Sequence, residues 1–169
     1  YGTIDEGTSN LGMARATTRY DDLCGLIMEI QGELIPVMSE VATPPGAQLK
    51  GGPRPGVQPE QVARLEQHID RFNAEWIQTG KFTRPGGSQA SAALDMARAV
   101  FRRAERRLIS LGREEPINPD LLKYINRLSD LLYVMARSDE QRNIIDTITA
   151  LVPELKPAAQ AARSAEGGS

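Results

Sequence analysis

From Pro119 to Arg137 the apolar residues recur at intervals of three and four. Leu121, Ile125, Leu128, Leu132 and Met135 fall in one arc when residues are spaced about 100° apart. A strand needs alternation, so this pattern commits the segment to an amphipathic helix with one buried side. Asn118 is positioned to cap it and Pro119 suits its first turn. The stretch from Ser88 to Leu111 behaves the same way. Leu94, Phe101, Ala104, Leu108 and Leu111 form its inward arc, and Ser88 can cap it.

Both helices carry a polar stripe beside the apolar one. On the later helix it is Asn126, Asp130, Tyr133 and Arg137. On the earlier helix it falls in "ARAVFRRAERR", residues 97–107, which holds five arginines and one acid. Arg98, Arg102, Glu105 and Arg106 share an arc next to the core. Arg103 and Arg107 lie further round and are expected to be a solvated pair. Arg98 is expected to have no acid on its own helix face other than Glu105. A charge run on a helix is commonly just its wet face. Here two such stripes border apolar arcs on helices that the chain order makes neighbours. Arginine forks are suited to oxyanions, so a triphosphate would satisfy the cluster, and carboxylates of a neighbouring subunit would also satisfy it.

The totals narrow the field further. The formal net charge is −2, which argues against general nucleic-acid binding, so the basic cluster is local. Cys24 is the single cysteine and His68 the single histidine, which leaves no disulfide, no Cys-based metal site and little room for nucleophile chemistry. No apolar run approaches a membrane span. The opening "YGTIDEG" reads as the interior of a protein, so a leader or N-terminal segment before it remains open.

Three more helices are expected: about Ile4–Thr17, about Tyr20–Val41, and "EQVARLEQHIDRFNAEWIQTG". In the last, Leu65, Ile69, Phe72 and Trp76 repeat at helical spacing and Gly80 suits the end. Residues 42–59 are rich in Pro and Gly and form a surface crossover. The loop "KFTRPGG" separates the third helix from the fourth, with the large apolar Phe82 in it. Residues 138–169 show a weak helical pattern, and the closing "AEGGS" is expected to be disordered. The sum is an all-α, five-helix bundle with one long connection. Within it, His68 is expected at a surface or boundary, and Cys24 as a small buried hydrophobe.

Four stretches in this order, "YGTIDE", "RPGGSQASAAL", "ARAVFRRAERR" and "YINRLSDLLYVMAR", resemble the PduO-type ATP:cob(I)alamin adenosyltransferases over about residues 1–137. The resemblance implies a ferritin-like bundle that assembles as a homotrimer with active sites between subunits. It implies transfer of the 5′-deoxyadenosyl group of ATP, with Mg2+, to the cobalt of reduced cobalamin, releasing triphosphate. Arg102, Arg103, Glu105, Arg106 and Asn126 would line the ATP site. Arg98 would pair across the subunit interface with Asp5, and these two are the catalytic pair that the resemblance implies. Phe82, Asp130 and Tyr133 would serve the corrinoid, Phe82 below the ring and Tyr133 where phenylalanine is usual. A corrinoid reductase and an adenosylcobalamin-dependent enzyme are the implied partners, in the cytoplasm or, for a eukaryotic chain, the mitochondrion. Neither nucleic acid nor membrane is implied, and no resident metal site.

The sequence departs from the family pattern at four places. The family's N-terminal Gly- and Thr-rich segment, which wraps ATP phosphates, is absent from this sequence, which opens just after it. Gly7 stands where leucine is usual, at a cost of about 1 kcal/mol in a helix interior. Asp95 stands where histidine is common. Residues 138–169 form a divergent C-terminal helix or tail in place of the ending that helps close the corrin pocket. Two other readings therefore stand beside the enzyme: a corrinoid- or nucleotide-binding relative impaired in turnover, and a purely structural helical assembly.

Overall fold

A computed structural model describes residues 1–44, 46–47, 56–75 and 83–166, with side chains to residue 152. Phe82, Trp76 and Gly80 lie outside the described residues. Five helices are present among them: α1 Gly2–Thr17, α2 Asp21–Ala42, α3 Pro59–Glu75, α4 Gln89–Leu111 and α5 Pro119–Glu166. α1 packs on α4 and α2, and α5 packs on α4 and α3. Ion pairs between α2 and α3, Arg64–Glu33 and Arg71–Asp22, close the ring. No helix among the described residues is long and apolar enough to cross a membrane.

The helix starts follow local chemistry. Ser88 Oγ accepts from Ser91 N, and Ser91 Oγ accepts from Ser88 N in return, so two otherwise unpaired N–H groups are satisfied together. Asn118 Oδ1 accepts from Asp120 N at 3.0 Å, with Pro119 at the first helical position. The inward arcs are buried as the spacing demands. Leu94, Phe101, Ala104 and Leu108 of α4 meet Leu121, Ile125, Leu128, Leu132 and Met135 of α5, and Leu111 is half-buried. Each such aliphatic or aromatic side chain removed from water contributes about 1.5–3 kcal/mol.

α4 and α5 run antiparallel, which sets Asp95 against Arg137 and Glu105 against Asn126. α1 also runs antiparallel to α4, with Thr3 against Arg107 and Glu6 against Arg103. Gly7 has a packing reason here. A Cβ on it would come within 2.7 Å of the buried Phe101 ring, so its absence lets α1 and α4 approach. Cys24 is half-buried, not enclosed, because it sits at the edge of the inward face of α2.

Beyond Arg137, where a helix or tail was expected, the chain is helical and joined directly to the helix before it. α5 continues without a break through Glu166, and Ser138, Asp139 and Glu140 are buried. The physical reason is long-range. Asp139 accepts hydrogen bonds from Ser88 Oγ and from Thr18 Oγ1, and Glu140 Oε1 accepts from Gly87 N at 3.1 Å. Two carboxylates therefore rest on the positive N-terminal end of α4. The paired glycines of "RPGGS" are explained by the same contact. Gly86 has φ +107°, which side-chain-bearing residues rarely adopt, and a Cβ on Gly87 would lie 2.7 Å from Glu140 Cγ. Further along, Arg142 makes a two-pronged pair with Asp22, at 2.6 and 2.9 Å, and Tyr20 donates to Asp146.

Candidate active site

A groove of about 410 Å³ opens between α3, α4 and α5. Its walls are Arg98 and Arg102 from α4, Ser129, Asp130, Tyr133 and Val134 from α5, and Ile69 and Asn73 from α3. Four of the sequence-predicted residues, Arg98, Arg102, Asp130 and Tyr133, thus meet on one surface. The antiparallel register causes this, because it lays the polar arcs of two helices side by side above their shared core. Just along the same face, Asn126 Nδ2 donates to Glu105 Oε1 at 2.8 Å.

The five arginines of α4 divide by partner. Arg98 Nε pairs with Asp95 Oδ1 at 3.1 Å. This corrects the expectation that Glu105 is the only acid on its face; Asp95 lies one turn back, beside it. Arg103 pairs with Glu6, and Arg107 donates to Thr3 Oγ1. Both side chains stay open to solvent as expected, but each also has a partner, because α1 lies beside this side of α4. Arg103 faces α1 and does not line the groove. Arg102 and Arg106 remain. Both are exposed, and neither side chain bonds to any described residue. Asp5 is likewise exposed and makes no ion pair with the described residues.

Deeper in, Arg137 lies under the wall. It is 7% exposed, pairs with Asp95, and lies 3.3 Å from Glu140 Oε1. Its guanidinium carbon is 5.3 Å from the centre of the Tyr133 ring, an attractive geometry for a cation over an aromatic face. On the outer rim, Arg127 binds both Asp130, at 3.1 Å, and Glu66, at 2.9 Å, which anchors the Asp130 edge to α3. Sequence reasoning missed Asn73, Ser129 and the buried pair of Asp139 and Glu140. Asn73 could have been found one turn after Ile69 on α3. The acids had no local signal, because their partners are about fifty residues away.

The sequence profile of the family described as Cobalamin adenosyltransferase matches residues 1–139. The chain belongs to the cobalamin adenosyltransferase family. Among its members, the corrinoid adenosyltransferase of Bacillus subtilis (strain 168) is 36% identical over 152 residues, spanning 88% of this chain and 76% of that one. The corrinoid adenosyltransferase of Citrobacter freundii is 39% identical over 140 residues, spanning 83% and 78%. A solved variant of the PduO-type ATP:corrinoid adenosyltransferase from Lactobacillus reuteri, complexed with cobalamin and ATP, superposes with a TM-score of 0.75. It is 34% identical and covers 83% of this chain and 76% of that one. The cobalamin adenosyltransferase match ends two residues past Arg137, while α5 runs on as one helix.

Among the described residues no three His, Cys, Asp or Glu side chains converge to hold a metal. An ion arriving with ATP would find its oxygen ligands on the phosphates themselves.

Proposed function

We propose that this chain transfers the 5′-deoxyadenosyl group of ATP to the cobalt of reduced cob(I)alamin, both bound as substrates. The electron pair of Co(I) forms the bond to C5′ of ATP. The C5′–O bond breaks, its electrons leave with triphosphate, and the cobalt is formally oxidised to Co(III). No protein nucleophile is required, which suits a chain with one cysteine and one histidine. The observation that carries the reading is the pair Arg102 and Arg106, one turn apart and without a protein partner among the described residues. Two adjacent unpaired guanidinium groups repel each other and are stabilised by a polyanion. As the leaving group gains charge, fixed cations favour the transition state over the ground state.

On this reading Arg102 and Arg106 hold the phosphates. Asn126 and Glu105, bonded to each other, hold the neighbouring part of ATP, and Arg103 joins them by exchanging its contact with Glu6 for the nucleotide. Asp130 and Tyr133 serve the corrinoid, with Phe82 as the residue that excludes water and the lower ligand from cobalt. The molecule is a homotrimer, and Asp5 of one subunit reaches Arg98 of the next. The terminal nitrogens of Arg98 are left for that contact, since Asp95 engages Nε. A cytoplasmic setting, a corrinoid reductase upstream and an adenosylcobalamin-dependent enzyme downstream complete the proposal.

The test is conversion of chemically reduced cob(I)alamin to adenosylcobalamin, followed by its absorption spectrum, with triphosphate measured alongside. One triphosphate per adenosylcobalamin is the expected stoichiometry. Binding of ATP and corrinoid without conversion would favour the impaired relative instead. Absence of ATP binding would leave only a structural assembly. A monomer by sedimentation at working concentration would remove the intersubunit site.

A further inference from the structure

Three charged side chains stand behind the groove without lining it: Asp95, Arg137 and Glu140, which are 5%, 7% and 9% exposed. Burying charge is costly unless each group is paired and hydrogen-bonded, so their arrangement has to serve either stability or geometry. The contacts run in one chain. Glu140 Oε1 accepts from Gly87 N at 3.1 Å and from Ser91 Oγ at 3.0 Å, and lies 3.3 Å from Arg137. Arg137 bonds to Asp95 Oδ2 and places its cation over the Tyr133 ring. Asp95 Oδ1 then accepts from Arg98 Nε at 3.1 Å.

We propose that Asp95 is a positioning residue for the groove: backed by Arg137 and Glu140, it fixes the Arg98 fork in register with the Gly86–Ser88 turn. The chemistry of the contact is specific. A carboxylate that engages Nε holds the guanidinium plane and leaves both terminal nitrogens outward. Asp95 is itself braced by a buried arginine, so its two oxygens cannot both swing to Arg98 without abandoning Arg137. Arg98 therefore presents one orientation to the groove, where a free arginine would sample many. Glu140 extends the brace to the turn that precedes α4. The relay holds two carboxylates and two guanidiniums, so it adds no net charge to the groove and does not compete with Arg102 and Arg106 for a polyanion.

This inference rests on the proposed activity, and a double-mutant cycle on the full chain separates the two. Wild type, Asp95→Asn, Arg98→Ala and the double variant are compared in kcat/KM for ATP, ATP affinity at equilibrium, and thermal unfolding. In the wild-type background Asp95→Asn is expected to lower kcat/KM about tenfold; in the Arg98→Ala background it should change it by less than about twofold. A residue that matters only for stability would lower the rate equally in both backgrounds, and that outcome overturns the proposal. So does an Asp95→Asn variant with wild-type kinetics. Should Asp95→Asn not fold, Glu140→Gln takes its place. It keeps an acceptor for Gly87 N and removes the charge facing Arg137, and it should show the same dependence on Arg98 with a smaller loss. A wild type that binds ATP but does not turn over defeats the activity reading, while the cycle read on ATP affinity still decides the role of Asp95.

Discussion

One face of the α4–α5 pair carries arginines with opposite fates at its two ends. At the Asp95 end the charges are matched, with the buried Arg137 and the half-buried Arg98 held by Asp95 and Glu140. At the other end Arg102 and Arg106 stand exposed, with no partner among the described residues. The fold is the same and the residue type is the same. What differs is whether a carboxylate stands within reach: Asp95 serves Arg98 on its own helix and Arg137 across the helix pair. The buried end stabilises geometry, and the open end keeps its binding capacity for something that is not part of the chain. An arginine cluster is thus read correctly only after its internal partners are subtracted.

The largest effect should come from unbalancing the matched end. Arg137→Ala would leave Asp95 and Glu140 buried without their shared cation. We expect a loss of about 3–5 kcal/mol in denaturant unfolding. A loss below about 1 kcal/mol would show that water already reaches this network.

At the open end the effect should be on binding, not on folding. Arg102→Ala is expected to weaken ATP binding by about 1.5–3 kcal/mol, the value of a hydrogen bond to a charged group, with an unchanged melting temperature. Arg107→Ala, whose guanidinium is committed to Thr3, should leave ATP affinity nearly intact. Titration calorimetry on both variants is decisive, and equal losses would erase the distinction between paired and open arginines.

The smallest effect tests a second matched region, where α5 meets the start of α2. Burial of Tyr20, then its hydrogen bond to Asp146 and the charge of that carboxylate, raise its hydroxyl to about 12. A raised value favours the protonated form in the folded state. This contribution is complete below the ordinary tyrosine range near pH 10 and is lost as pH climbs toward 12. Asp22 has the opposite sign. The hydrogen bond from Arg142, then the nearby positive charges, outweigh burial and hold its carboxyl below the ordinary value, so its contribution is lost as pH falls through the acid range. Unfolding midpoints measured across pH should decline at both extremes. Tyr20→Phe should flatten only the alkaline limb, and a wild-type alkaline slope in that variant would remove Tyr20 as its cause.

Much of this was legible in the sequence where the chemistry is local. The caps at Ser88 and Asn118 and the inward arcs of α4 and α5 depend on residues within two turns of each other, and all follow from spacing. The grouping of Arg98, Arg102, Asp130 and Tyr133 was legible too, because it needs only two helical wheels and the inference that their helices are neighbours. Contacts made by a third element were not legible. Arg103 and Arg107 point outward on a wheel, and only the approach of α1, allowed by Gly7, supplies Glu6 and Thr3. The length of α5 was hidden for a related reason. Residues 138–143, "SDEQRN", carry only a weak helical pattern, yet their acids are buried on the α4 N-terminus and their arginine pairs with Asp22. Polarity there marks long-range partners, not solvent.

The antiparallel register described above also limits how this chain can change in length. Asp95 is level with Arg137, and Glu105 with Asn126. One residue inserted into α4 or α5 between those levels would turn everything beyond it by about 100° and carry one arc of the groove out of line. No adjustment of side chains restores pairs rotated by that much. Insertions and deletions that keep the groove intact are therefore confined, within residues 95–137, to the seven-residue connection 112–118 between the two helices. The site acts as a length gauge: substitutions can tune its walls one at a time, but a shift of frame in either helix removes them together.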